Sequence, residues 1–251
     1  MGKENKVVAI IPSRLESSRL PGKALLDICG LPMIIHVYKR CLLAKELDEV
    51  YVATDNKKIK NIVEGYGGKV IMTSPLHQTG TDRVAEAARA IKADIIVNVQ
   101  GDEALLNPSY IDKAVTPLYN NPEINVSILV NKFSDKNSIS DIKVVLNEKD
   151  EVMYFSRADI PSYARDENHS MLKAYHIVPF KRDFLLRYSC WDKSYLEQLE
   201  YNEYLRILEK GYKIKAVHVD SDAISVDTQN DLEIVCEKMK NDHYFSLYKN
   251  E

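Results

Sequence analysis

Four short apolar runs recur through the first hundred residues: VVAII (7–11), VYVA (50–53), VIM (70–72) and IIVNV (95–99). None alternates regularly with charged residues, so each fits a strand buried on both faces. Between them lie stretches of helical length, residues 32–43, 57–66 and 81–91, and Gly67-Gly68 supplies a stop for the second. Strand, helix, strand, helix in this order specifies a doubly wound α/β sheet, whose ligands bind outside the carboxyl ends of the strands. That rule gathers four loops on one rim: residues 11–25 (IPSRLESSRLPGKAL), 53–55 (ATD), 73–83 (TSPLHQTGTDR) and 100–103 (QGDE).

Downstream, Asn107-Pro108 opens another helix, with Asn as cap and Pro at the first helical position. VSILV (126–130) reads as a fifth strand, and residues 143–156 as a hairpin around 147–150, which makes the sheet mixed. Residues 162–170 (SYARDENHS) are a polar loop. Ser194 with Glu197 starts a helix running to about Lys210, residues 213–218 and 224–226 are short strands, and Thr228 caps a helix through Met239. A chain of 251 residues without a clear linker is expected to form one domain.

The net charge of −3 argues against a nucleic-acid partner, whose protein usually shows a dominant basic face. No apolar run approaches the roughly 20 residues of a membrane span. Four cysteines without a CxxC pair suggest neither a zinc ribbon nor a disulfide framework, so a reducing cytoplasm is expected. Against this mildly acidic background, Arg14, Arg19 and Lys23 crowd into the first rim loop. Such a cluster is either a solvated turn or a cradle for a polyanion. It is not a P-loop, because Gly22-Lys23 is followed by Ala24 and no Gly stands five residues upstream, and GxGxxG is absent.

Acidic residues decide between the two. Asp102 and Glu103 follow a buried strand directly, and Asp227 follows the expected strand 224–226. Singly, either aspartate serves equally well as a turn cap or helix-start device. Two strand-end aspartates beside a basic loop specify a site for a divalent cation and a triphosphate, since Mg²⁺ takes carboxylate and phosphate oxygens.

The segments VVAIIPSRLESSRLPGKALLDICGLPMIIHVY, VYVATD, GGKVIMTSPLHQTGTDR, VNVQGDEALL, KVVLNEKDEVMYFSRADIP and VDTQNDL, in this order, resemble the 3-deoxy-manno-octulosonate (Kdo) cytidylyltransferases across essentially the whole chain. The resemblance implies a mixed, mostly parallel α/β sheet of nucleotidyltransferase type, similar to the GT-A glycosyltransferases, with a smaller C-terminal acceptor and dimerisation lobe. Residues 1–130 would form the CTP-binding half and 131–251 the acceptor half of a homodimer. It implies Mg²⁺-dependent transfer of CMP from CTP to a 2-keto-3-deoxy sugar acid for a bacterial surface glycan. Lys23, Asp102 and Asp227 would be catalytic, with Asp102 and Asp227 on the metal. Arg14, Ser17 (or its neighbour Ser18), Arg19, Lys23, Thr54, Thr79, Gly80, Arg83 and Gln100 would hold CTP. Gln100, Arg157, His176, Glu203 and Tyr204 would face the sugar acid.

The acceptor side departs from the family. Its RHLGIYGYR segment reads KAYHIVPFK here, at residues 173–181, so that Ala174 replaces the histidine, Val178 a tyrosine and Pro179 a glycine. Its EMLEQLR reads EYNEYLR, keeping Glu203 but placing Tyr204 where the glutamine stands. His176 is a candidate replacement for the lost imidazole, or in a strand it faces away. The acceptor is then Kdo, a modified Kdo such as 8-amino-Kdo, another keto-sugar acid or a small phosphonate. The competing class is a catalytically silent nucleotide-binding homologue.

Overall fold

The structure is a computed structural model and describes residues 5–16, 20–165, 169–221 and 224–250. It falls into two compact units, one from Met1–Asp112 with Asp222–Glu251 and the other from Lys113–Ser221. The last helices therefore return to the first unit, although residues 131–251 are expected to form one half.

In the first unit the chain runs through β1 (Val7–Ser13), β2 (Asp27–Ile28), β3 (Leu31–Pro32), α1 (Met33–Leu42), β4 (Glu49–Thr54), α2 (Lys57–Gly65), β5 (Lys69–Met72), α3 (Gly80–Arg89) and β6 (Ile95–Val99). The strands stand in the order β6, β1, β4, β5, and all are parallel. Residues 7–11 have no exposed surface, as expected of a strand flanked on both sides and covered on both faces. Local signals set the helix ends. Asn56 accepts the N–H groups of Lys58 and Ile59 at the start of α2, and Gly67, at φ 74°, ends the turn beyond it.

The unit boundary falls within α4 (Pro108–Asn120). Beyond it come β7 (Ser127–Phe133), β8 (Lys143–Leu146), β9 (Val152–Ser156), β10 (Met171–Tyr175), β11 (Ile177–Lys181), α5 (Arg182–Tyr188), α6 (Tyr195–Glu200), α7 (Leu205–Glu209) and β12 (Lys215–His218). Here the order is β12, β7, β10, β8, β9, antiparallel except for the parallel β12–β7 pair. The fold is thus mixed, as expected, and the 143–156 hairpin is in place.

Two expected elements differ. The capping box of Ser194 and Glu197 forms, but the helix stops at Glu200 because Tyr201 turns into the left-handed region at φ 49°, and α7 starts afresh. Glu197 and Arg206, both buried, tie the two short helices together through bonds of 2.8 and 2.5 Å. Residues 224–226 form no strand.

After them, α8 (Gln229–Lys240) and α9 (Phe245–Tyr248) complete the first unit. Leu232, Val235 and Met239 of α8 pack with Val226, Ile28, Met33 and Ala104 in one apolar cluster, which holds the chain around Asp227 against the turn after β6. No helix among the described residues is long and apolar enough to cross a membrane.

Candidate active site

The first rim loop leaves β1 at Ser13, and its far end is closed by a bond from the Gly22 N–H to the Leu15 carbonyl, 3.2 Å. Gly22 takes φ 69°, which side chains disfavour, and leads directly into a 3-10 turn at Lys23–Leu25. This turn aims Lys23 inward. Its Nζ donates to Asp102 Oδ2 at 2.7 Å and to Asp227 Oδ1 at 2.9 Å. Burial works against the charge on this ammonium, yet the two carboxylates prevail and hold its pKa above the ordinary lysine value.

Asp102 lies in the turn after β6, and Asp227 reaches it through an irregular segment, not from a strand end. A bond from the Val226 N–H to the Asp102 carbonyl, 3.1 Å, stitches the two segments. The start of α8 needs no help from Asp227, because Thr228 and Asp231 form its capping box. The Asp227 side chain is thereby left to face the lysine.

A cavity of about 270 Å³ opens beside this trio, lined by Arg14, Glu16, Lys23, His77, Gln78, Thr79, Gly80, Arg83, Gln100, Asp102 and Asp227 among others. Thr79 caps α3 by accepting the Asp82 N–H at 3.1 Å, so the 73–83 loop ends in a helix N-terminus at the cavity. Gly80 lies against the Pro12 ring, where a methyl group would come within 3.3 Å. Arg83 is buried, donating to the Thr73 hydroxyl at 2.6 Å and pairing with Asp55 at 3.4 Å. Arg14 is exposed.

Sequence reasoning named Gln100 and the 73–83 loop but missed Asn98 and Glu86, which hold them. Gln100 donates to Asn98, and Asn98 to Thr81, at 3.2 and 2.9 Å, with Asn98 and Thr81 fully buried. This chain fixes the Gln100 amide at the cavity wall, and an asparagine inside the apolar run IIVNV was its signal. His77 hydrogen-bonds Glu86, which also accepts the Ser74 N–H at 2.9 Å, so α3 pins the 73–79 loop. Burial raises the Glu86 pKa, but these partners outweigh it and leave the carboxyl below its usual range.

Other expected residues lie elsewhere. Thr54 is fully buried at the end of β4, does not line the cavity, and accepts the Asn56 N–H at 3.2 Å. Ser17, Ser18 and Arg19 lie outside the described residues.

Of the acceptor candidates, Gln100 lies in the first unit, and Arg157, His176, Glu203 and Tyr204 belong to the second. Arg157 spends its guanidinium on carbonyls, of Glu200 (2.9 Å), Ile139 (2.8 Å), Ser140 (3.3 Å) and Tyr201 (3.2 Å). It thus closes the C-terminal end of α6, where a cation suits the helix dipole, and in this conformation presents no open fork. His176 sits in a bend between β10 and β11 and stacks on Tyr204, with ring centroids 6.1 Å apart. Tyr204 is a core residue, 3% exposed, packed also against Phe155 and Phe180. The Glu203 carbonyl accepts the Tyr188 hydroxyl at 3.0 Å.

A family model described as cytidylyltransferase matches residues 8–214. The 3-deoxy-manno-octulosonate cytidylyltransferase of Geotalea uraniireducens is 43% identical over 249 residues, covering 94% of this chain and 99% of its own. That of Geobacter sulfurreducens is 43% identical over 248 residues, covering 93% and 99%. Among solved structures, a CMP:2-keto-3-deoxy-manno-octonic acid synthetase complexed with CTP superposes with a TM-score of 0.90 at 40% identity, covering 94% of this chain and 98% of its own. A 4-diphosphocytidyl-2C-methyl-D-erythritol synthase from Anaerococcus prevotii, at 15% identity and a TM-score of 0.63, shares the fold.

Proposed function

The chain belongs to the 3-deoxy-manno-octulosonate (Kdo) cytidylyltransferase family, and from that premise we infer that it transfers CMP from CTP to Kdo and releases pyrophosphate. The observation that carries the reading in this chain is the convergence of Lys23, Asp102 and Asp227 beside a cavity that also holds Arg14 and Arg83. An ammonium and guanidinium groups suit the dispersed charge of a triphosphate. We assign Arg14, Lys23 and the Thr79–Gly80 helix start to the phosphates. Gln100 and the 73–79 loop line the nucleoside and sugar side.

Mg²⁺ fits this donor set, because Asp102 and Asp227 already share one cation, the Lys23 ammonium, and carboxylate oxygens are the ligands a hard cation takes. Bound there, the ion would supply charge neutralisation at the α-phosphate and the attacking oxygen. The remaining work is positioning. A sugar hydroxyl attacks the α-phosphorus in line, and Lys23, with its charge held on by its surroundings, stabilises the departing pyrophosphate. We assign CTP binding to the first unit and the acceptor and dimer contacts to the second. There Met153, Tyr195, Leu199 and Tyr201 are all more than half exposed, an apolar set suited to a second copy of the chain. The mass of the protein in solution decides that point. Its place is the cytoplasm, where CTP is made, and its product suits a glycosyl transfer that consumes an activated sugar acid.

A finer reading concerns the acceptor. Val178 is fully buried and Ala174 nearly so, so neither offers the polar group its family counterpart has. A sugar hydroxyl that used those partners would be desolvated unpaired, at about 1–3 kcal/mol each. A Kdo altered at its far end, such as 8-amino-Kdo, is then expected to exceed Kdo in kcat/KM by about tenfold, equivalent to about 1.4 kcal/mol. Pyrophosphate release from CTP with Kdo, 8-amino-Kdo and a small phosphonate measures this. Kdo as the best of the three removes the finer reading and leaves transfer to Kdo standing. Failure of all three removes these acceptors and leaves another keto-sugar acid or a silent homologue.

A further inference from the structure

We propose that Lys23 is a resident counter-ion for the aspartate pair: its ammonium keeps the carboxylates of Asp102 and Asp227 together until a divalent ion displaces it, and then turns to the triphosphate. The proposal rests on the reading above that these two carboxylates bind metal. The two aspartates come from segments far apart in the sequence, and both meet the same Nζ, at 2.7 and 2.9 Å. All three side chains are mostly buried, at 16% exposure for Lys23, 26% for Asp102 and 31% for Asp227. Two carboxylates brought this close in a half-dry site repel one another, and a cation between them removes that cost.

The side chain alone has to move. The Lys23 backbone is held in its 3-10 turn, its N–H on the Leu20 carbonyl at 3.1 Å and its carbonyl taking the Leu26 N–H at 3.2 Å. A lysine suits an exchange of this kind, as a compact charge on a flexible four-carbon stem with rotatable donors. Among the described cations lining the cavity, Arg83 is bound to Thr73 and Asp55, and Arg14 is exposed. The consequence is coupling. A divalent ion entering the free enzyme must evict the ammonium, whereas an ion arriving with the triphosphate finds a new partner for it in place.

Binding of Mn²⁺ to the nucleotide-free protein, followed by electron paramagnetic resonance, tests the exchange without turnover. Lys23→Met is expected to bind Mn²⁺ at least about tenfold more tightly than the wild type. Arg14→Met, which removes a charge from the same cavity wall but none from the carboxylates, is expected to change the affinity less than about twofold. Equal affinity in wild type and Lys23→Met overturns the proposal, and so does an Arg14→Met gain as large as that of Lys23→Met. Adding Asp227→Asn to Lys23→Met should abolish the tight binding. If it does not, the metal assignment fails instead. Should Lys23→Met not fold by circular dichroism, Lys23→Gln provides the same comparison.

Discussion

Asp102→Asn and Asp227→Asn are each expected to lower the rate of CTP-dependent pyrophosphate release by about three orders of magnitude while leaving the protein folded. On the proposed metal-binding role, loss of one anionic ligand would take several kcal/mol of charge stabilisation from the reacting phosphate, and each 1.4 kcal/mol is about tenfold in rate. The fold is spared because the contacts that hold these segments are made by other atoms. The Asp102 carbonyl accepts the Val226 N–H, and Asp231 accepts the Asp227 N–H at 3.1 Å, whatever the side chains. Lys23→Ala is expected to differ in kind, raising KM for CTP as well as lowering kcat, since the role proposed for the ammonium is to grip phosphate before and during the reaction. Steady-state kinetics with thermal melts check all three. A variant at Asp102 or Asp227 with near-wild-type turnover removes that residue from the metal.

Arg40→Met is expected to destabilise the first unit by about 3 kcal/mol, lowering Tm by about 10 °C. Arg40 of α1 is completely buried. It donates to the Leu106 carbonyl at 3.0 Å, to Asp242 at 2.5 Å and to the Tyr248 hydroxyl at 3.3 Å. It therefore fastens the C-terminal segment, including the end of α8, to α1. Methionine fills much of the volume but leaves a carbonyl and a carboxylate without their donor, which costs more than the lost bonds themselves. Arg40→Lys keeps the charge and not the fork, and should recover less than half of the loss. Calorimetry measures both. A loss below 1 kcal/mol for Arg40→Met would mean that water replaces the guanidinium, and that α8 is held by its apolar face alone.

What could be read from the sequence was what neighbouring residues enforce. The unalternating runs, the Gly67 stop and the Thr228 cap gave the four parallel strands, the helices between them and the last long helix, because burial on two faces and capping act within a few residues. The rim rule then placed Lys23, Asp102 and the 73–83 loop together, since parallel strands put their carboxyl ends on one side. The resemblance to a family supplied roles, and the relatives bore out the family and the reaction.

Tertiary structure alone decided the rest. That Asp227 meets Asp102 depends on the apolar face of α8 and one backbone bond from Val226, a contact across more than a hundred residues that no local pattern encodes. The break at Tyr201 follows from Arg157 and the Glu197–Arg206 pair, where partners distant in sequence override a helix start that was locally sound. For the same reason Arg157 had the composition of a carboxylate fork but took four carbonyls as partners, and Thr54 stood on the right rim but turned into the sheet. Residue type fixes what a side chain is able to bind, and packing fixes which of its candidates it meets.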